Sequence, residues 1–273
     1  AGMNAAFTLL PGISQQAMGE MTEQVLAFAK EANTIPEEVV PALYSALGAG
    51  VPQDTVFDFL ETANKAAIAG VTDLQTSVDA LTSVVNTYGS DVISVNEVSD
   101  QVFTLMRLGK TTFDEVASSI SNVAPVASDF GVAFGDVAAS MATLTALGTP
   151  TSESTTQIRA AISELGQSGT EASKVFEKTA GTTFPKFIRE GGNFEEALQV
   201  MAQAADDSGK SVLDLFGSIE AGSAVASLTG RAGSIKFAEA MQEMSTSAGA
   251  TEVAFETMNR GINVSLKRLQ VAV

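Results

Sequence analysis

The sequence predicts an all-α protein, in which an irregular multi-helix domain of short amphipathic helices in hairpins is followed by the start of a long helix. Apolar residues recur at helical spacing between glycines that lie about twenty residues apart in the first half of the chain. Short polar residues precede several of these segments, where N-caps are expected. The hydrophobic fraction is 45%, with 6% aromatic residues and no tryptophan. This composition indicates helices that pack closely through small side chains.

The stretch 69–91 shows the helical pattern most clearly. Its apolar positions follow one another at intervals of three and four residues and are Leu74, Val78, Leu81, Val85 and Tyr88. Thr72 is the predicted N-cap, and Gly89 is the predicted residue immediately after the helix. The same pattern recurs in the neighbouring segments.

Other segments carry sharper signals for helix ends. Thr34 and Glu37 have the spacing of a capping box, and Thr112 and Glu115 have the same spacing. Pro41 lies inside the first of these two helical patterns, where proline removes a backbone donor. We therefore expect a kink or a split at Pro41.

One stretch in the second half does not follow a helical pattern. Residues 182–193, TTFPKFIREGGN, combine β-favouring residues with a proline and a Gly-Gly-Asn turn. They predict at most one small β-like segment, either a short hairpin or a loop. Helical patterns resume at Phe194. Since the helices do not match one another residue by residue, we expect irregular hairpins rather than a true repeat family.

The last segment is one long helical pattern with a period close to a heptad. Its apolar seam consists of Phe255, Met258, Ile262, Leu266, Leu269 and Val273. The seam either packs on its own domain or associates with copies of itself, which makes it a candidate self-association seam. We divide the chain into a helical domain at 1–249 and the beginning of a helical, coiled-coil rod at 250–273. Both ends are expected to be cut from a longer polypeptide.

Charge and composition exclude several functions. The chain has 15 basic and 32 acidic residues, a net charge of −17, which argues against sequence-specific nucleic-acid binding. The absence of cysteine and histidine removes disulfides, thiolate or imidazole metal sites and histidine-dependent catalysis. The longest uncharged stretch, 137–152, is too polar and too broken to span a bilayer. No metal and no cofactor is expected.

Paired acidic residues are the remaining candidates for catalysis. They occur at 37–38, 195–196 and 206–207, and two carboxylates can act as an acid and a base. The first two pairs lie in the first turn of a predicted helix, where negative charge stabilises the helix dipole. The third pair lies near a helix end. We interpret all three as structural and predict that the chain is not an enzyme.

Several stretches carry motifs in a fixed order. The segment EEVVPALYSALGAGVPQDTVFDFLETANKAAIAGVTDLQTSVDALTSVVNTYG is followed by FDEVASSISNVAPVASDFGVAFGDVAASMATLTALGTPTSESTTQIRAAISEL, then by DLFGSIEAGSAVASLTG and SAGATEVAFETMNRGINVSLKRLQVA. In order and spacing they resemble the conserved domain of phage tail tape-measure proteins, over residues 14–273. Pro41, the stretch GTPTSEST and the region 182–193 depart from the family pattern.

The resemblance implies a structural virion protein that sets tail length and is released through the tube during genome delivery. It implies a location inside the tail tube or at the tail tip, and in the host cytoplasm during assembly. The implied partners are the tail tube protein, tail-tip or baseplate proteins, tail assembly chaperones, further copies of the chain and the host membrane during ejection. The residues alone leave two alternatives, a soluble bundle that inserts into membranes as a pore former and a generic helical-repeat binding scaffold.

Overall fold

The computed structural model describes residues 2–32 and 34–271, with side chains described through residue 260. Within these residues the chain forms α-helices and 3-10 turns and no strand. The first eight helices are α1 (Gly2–Thr8), α2 (Gln15–Glu31), α3 (Pro36–Gly48), α4 (Val56–Gly70), α5 (Leu74–Tyr88), α6 (Val95–Leu108), α7 (Phe113–Ser119) and α8 (Ala124–Asp129). The next eight are α9 (Phe134–Ala146), α10 (Thr151–Gly166), α11 (Glu171–Ala180), α12 (Phe184–Arg189), α13 (Phe194–Ser208), α14 (Ile219–Thr229), α15 (Arg231–Ser245) and α16 (Ala250–Val271). The 3-10 turns span Ile120–Asn122 and Val212–Leu215. The predicted all-α fold class is confirmed.

Helix α9 lies at the centre of the molecule. Most of it lies in the long uncharged stretch of the sequence, and it is buried on all sides by α6, α8, α10, α14 and α15. A helix that is apolar around its whole circumference requires such an environment. Its buried hydroxyl groups are satisfied within the helix, because Ser140, Thr143 and Thr145 each donate to a backbone carbonyl one turn earlier at 2.7 to 2.9 Å.

Helices far apart in sequence pack together at this core. Helix α15 returns to pack on α9 and α6, and the beginning of α16 packs on α4 and α6. In a solenoid each unit contacts only its neighbours, so this arrangement differs from a linear stack of hairpins. Helix α6 is the shared support for both returning helices.

Several predicted helix ends are confirmed and two are corrected. Thr112 and Glu115 form the predicted capping box. Gly89 follows α5 at a positive φ of 95°. The N-cap of α5 is Asp73, which accepts from the Thr76 N–H at 2.8 Å, and the prediction of Thr72 was therefore wrong by one residue.

Helix α3 also differs from its prediction. Thr34 makes no capping box with Glu37, because the N-cap is Ile35 and Pro36 occupies the first helical position, where proline is favoured. Thr34 instead donates to the Glu38 carboxylate. The helix runs unbroken through Pro41, so no split occurs there.

The stretch 182–193 contains a helix, and its prediction as a β-like segment was wrong. Helix α12 begins after Thr183, with Pro185 in its first turn. The two phenylalanine rings that suggested a strand pack edge-on against Phe176 of α11, with centroid distances of 5.8 Å for Phe184 and 5.6 Å for Phe187. Tertiary packing of these rings outweighs the local β preference.

Candidate functional site at the root of the terminal helix

The root of α16 is fixed by a buried acid on α6. The Asp100 carboxylate accepts from the Gly249 N–H at 2.7 Å and from the Thr251 N–H at 2.9 Å. Asp100 is 8% exposed, so these hydrogen bonds are shielded from water. Ser99 and Thr251 share a further buried hydrogen bond of 2.9 Å. The Asp100 side chain thus supplies the N-terminal cap of α16 from a distant part of the chain.

A second contact joins the root of α16 to α4. The Lys65 ammonium lies 2.7 Å from the Glu252 carboxylate and 2.9 Å from the Glu61 carboxylate. It also lies 5.9 Å from the ring centroid of Phe255, within cation–π range. The hydrogen bond to Glu252, and then that to Glu61, raises the pKa of Lys65. The lysine therefore remains charged and links α4 to the first two turns of α16.

The structure places the first two residues of the predicted seam beside the helical body. Phe255 and Met258 are half-buried, and the Phe255 ring faces Lys65. Residues 262, 266 and 269 belong to the helical range of α16, but their side chains lie outside the described part. Val273 lies outside the described residues altogether. Self-association through Phe255, Met258, Ile262, Leu266, Leu269 and Val273 stays a prediction.

The residues that hold the root of α16 were not predicted from the sequence. Asp100 and Ser99 lie beside the apolar stripe of α6, where a polar residue is ordinarily read as the solvent face. They are buried because α6 packs on several neighbours at once. The only available signal was an Asp in the middle of a helix, two residues from Val98 and from Val102. Its partner, more than a hundred residues away, could not be read from spacing.

Carboxylates from distant helices also accept hydrogen bonds from the N-terminal backbone of two other helices. Asp136 on α9 accepts from the Phe194 N–H at 2.8 Å, at the start of α13. Glu164 on α10 accepts from Gly217 N–H at 2.6 Å and Ser218 N–H at 2.9 Å, just before α14. Helix N-termini carry unsatisfied N–H groups and partial positive charge, which these carboxylates complement. Acidic residues therefore connect sequence-distant helices throughout this fold.

Asp136 differs electrostatically from an exposed carboxylate. Burial raises the pKa of Asp136 to about 6, against the lowering effect of the Phe194 hydrogen bond. The negative charges of Glu195 and Glu196 act in the same direction as burial. Burial, and then the charge of Asp136, raises the pKa of Tyr88, whose hydroxyl donates to the Val132 carbonyl at 3.1 Å.

The paired acids occupy ordinary structural positions. Glu196 forms a capping box with Asn193, and Glu195 lies beside it in the first turn of α13. Glu37 and Glu38 lie in the first turn of α3. Among residues 2–32 and 34–271, acidic side chains do not form a cluster suited to holding a metal ion. Over the same residues, no helix has both the length and the apolar character needed to cross a membrane.

Comparison with known proteins identifies the class to which this helical body and its anchored terminal helix belong. The model of the family described as "Phage-related minor tail protein" matches residues 22–217, more than half of the chain. The chain belongs to this family and has a structural role in a phage tail. No solved structure shows significant similarity to it.

A curated relative gives a more particular comparison. The chain is 33% identical over 249 residues to a protein of Clostridium phage phiCD119 that is named a probable tape measure protein. The alignment covers 88% of this chain but 26% of that relative. The chain therefore corresponds to about a quarter of the relative's length, and it resembles a tape-measure domain.

Proposed function

We propose that this chain is the folded helical module of a tape measure that sets the length of a phage tail. The observation that supports the proposal is α16, a helix of 22 residues that is clamped at its root. A helix advances 1.5 Å per residue, so a projecting rod converts residue number into length. In this proposal residues 1–249 form the conserved module and residues 250–273 begin the rod.

The proposed module has a particular location and set of partners in the phage tail. It lies inside the tail tube or at the tail tip, contacts the tube protein and tail-tip or baseplate proteins, and is bound by tail assembly chaperones in the host cytoplasm. It leaves through the tube and meets the host membrane during genome delivery. Similarity to a probable tape measure protein supports this assignment, as does a fold in which hydrogen bonds and an ion pair join the body to the terminal helix.

An insertion series in the phage gene tests the ruler directly. About 70 residues of helical heptads inserted after residue 271 should lengthen the tail by about 105 Å, at 1.5 Å per residue. The same insert placed after Ser168, in the exposed turn between α10 and α11, should leave the length unchanged, because packing fixes both ends of that turn. Tail lengths are measured by electron microscopy. Equal lengths for both insertions and the parent phage would contradict the ruler.

Self-association of the rod is tested on the 273-residue chain. Sedimentation equilibrium should show association that increases with concentration and is weakened by Leu266→Lys, because a charge in a heptad seam opposes pairing. Val253→Lys is the matched control, since Val253 is exposed and lies off the seam. A monomer at all concentrations, or equal effects of the two substitutions, would reject the seam as an interface.

A further inference from the structure

A depression of about 330 Å³ lies between α6, α9 and α15. Its apolar wall includes Tyr88, Phe134, Met241 and Met244. Known ligand pockets span roughly 300 to 1,000 Å³. This depression is at the lower end of that range and is sized for one side chain rather than for a large cofactor.

The polar groups of the depression are mainly hydrogen-bond acceptors. The carboxylates of Glu97 and Asp136 line it, together with Gln101. Gln101 is 7% exposed, and its Oε1 atom has no hydrogen-bond partner. A buried acceptor without a hydrogen-bond donor costs free energy. No lysine or arginine from the described residues lines the depression.

We propose that this depression receives an arginine side chain from another protein of the tail. A guanidinium group carries five donors in a plane, and it can therefore reach several acceptors at once. It also stacks on aromatic rings, and the half-buried ring of Tyr88 is available for this, while the partly exposed Met241 accommodates the aliphatic stem. The net charge of −17 favours a basic partner surface. The inference rests on the proposed function only where it assigns the partner to the tail.

The charged groups around the depression are acidic and favour the binding of a cation. Glu97 faces it from α6, Asp136 from α9, and Glu195 and Glu196 raise the pKa of Asp136 from α13. Tyr88 on α5 stays neutral because burial raises its pKa. An incoming cation meets negative charge from these helices. Its affinity should fall as the pH drops below about 6, where Asp136 becomes protonated.

Methyl NMR of the purified chain tests the site with n-butylguanidinium as the probe. The methyl signals of Met241 and Met244 should shift on titration, whereas other methionines serve as internal references. The neutral, planar n-butylurea should bind at least tenfold more weakly. Equal binding of the two compounds, or shifts spread over all methionines, overturns the proposal.

Variants separate the site from general charge effects. Asp136→Asn keeps an oxygen that accepts from the Phe194 N–H and should weaken n-butylguanidinium binding about tenfold. Gln101→Met removes the unpartnered acceptor and should also weaken binding while raising the melting temperature, which distinguishes lost recognition from lost folding. Asp207→Asn, at the far exposed end of α13, should bind like the parent chain, and an equal loss there overturns the proposal.

The assignment of the partner has its own test in assembled tails. A photo-crosslinking residue at Val92, an exposed position lining the depression, should join the chain to an arginine-containing segment of a different tail protein. A cross-link to a second copy of this chain, or none, overturns that assignment. Because the methyl titration involves no tail, its failure is separate from a failure of the length experiment.

Discussion

Val71 is the one non-glycine residue with a positive φ among the described parts of the chain. It ends α4 in the left-handed conformation, at φ 56° and ψ 48°, and is 80% exposed. A glycine lies one position earlier, because a Cβ on Gly70 would lie 2.6 Å from the Phe113 ring. Close packing therefore requires the glycine at 70, and the left-handed position is occupied by a β-branched residue instead.

Val71→Gly should raise the free energy of unfolding by about 0.5 to 1 kcal/mol. Relief of the left-handed strain gives roughly 1 to 2 kcal/mol, and the greater freedom of glycine in the unfolded chain offsets part of it. Gly70→Ala should lower the free energy of unfolding by about 1 to 3 kcal/mol through overpacking. Urea denaturation measures both. Val92→Gly, at an exposed valine without a positive φ, should destabilise, and a gain there would refute the strain argument.

The Asp136 carboxyl predicts an unusual pH dependence. Its pKa is raised from 3.8 to about 6 by folding, so between these values the folded state binds more protons than the unfolded state. This contribution to stability is therefore lost as the pH rises through about 4 to 6, and it amounts to about 2 to 3 kcal/mol. The raised pKa of Glu195 acts in the same direction.

Asp136→Asn should remove most of the stability loss that the parent chain shows as the pH rises from about 4 to 6. The variant should be about 2 to 3 kcal/mol more stable than the parent chain at pH 8, and the two should converge near pH 4. Denaturation at a series of pH values measures the difference. A constant offset between the two proteins at all pH values would show that Asp136 does not titrate as described.

Helices α5 and α12 show what can be predicted at the scale of the element. The existence of α5 follows from its apolar spacing, and only its N-cap was misplaced, from Asp73 to Thr72. Helix α12 could not be predicted, because its aromatic residues favour a strand locally and a helix only when Phe176 is there to pack against. The hydrogen bonds from the start of α16 to Asp100 could not be predicted either, because they require α6 and α16 to pack together, and no local sequence pattern indicates that packing.

Asp100→Ala should loosen the root of α16 more than it destabilises the whole domain. Removing an N-cap costs about 0.5 to 2 kcal/mol, and the loss falls on the Gly249 and Thr251 amides that Asp100 binds. Hydrogen exchange of these amides should accelerate roughly 2- to 30-fold. Asp79→Ala, at an exposed position on α5, is the control, and comparable acceleration there would exclude a specific clamp.

The molecule as a whole carries far more negative than positive charge, 32 acidic against 15 basic residues. The ion pairs among the described side chains are partly or largely exposed, and exposed pairs contribute little to stability. We therefore expect self-repulsion between acidic residues to outweigh these ion pairs. Salt, which screens repulsion, should stabilise the fold.

Raising NaCl from about 20 to about 300 mM should raise the melting temperature by a few degrees, since 1 kcal/mol corresponds to roughly 2 to 4 °C in a protein of about this size. Differential scanning calorimetry measures it. An equimolar series in KCl controls for ion identity and should give the same shift. A lower melting temperature in salt would mean that attractive pairs dominate.

The central position of α9 also affects synthesis. Its partner α15 lies roughly 85 to 100 residues later in the chain, and translation proceeds at about 5 to 20 residues per second. The apolar surface of α9 that packs against α15 therefore stays uncovered for roughly 5 to 20 s, until α15 has been synthesised. During that interval the nascent chain is exposed to aggregation, and completion of the core is delayed until almost the whole module has emerged.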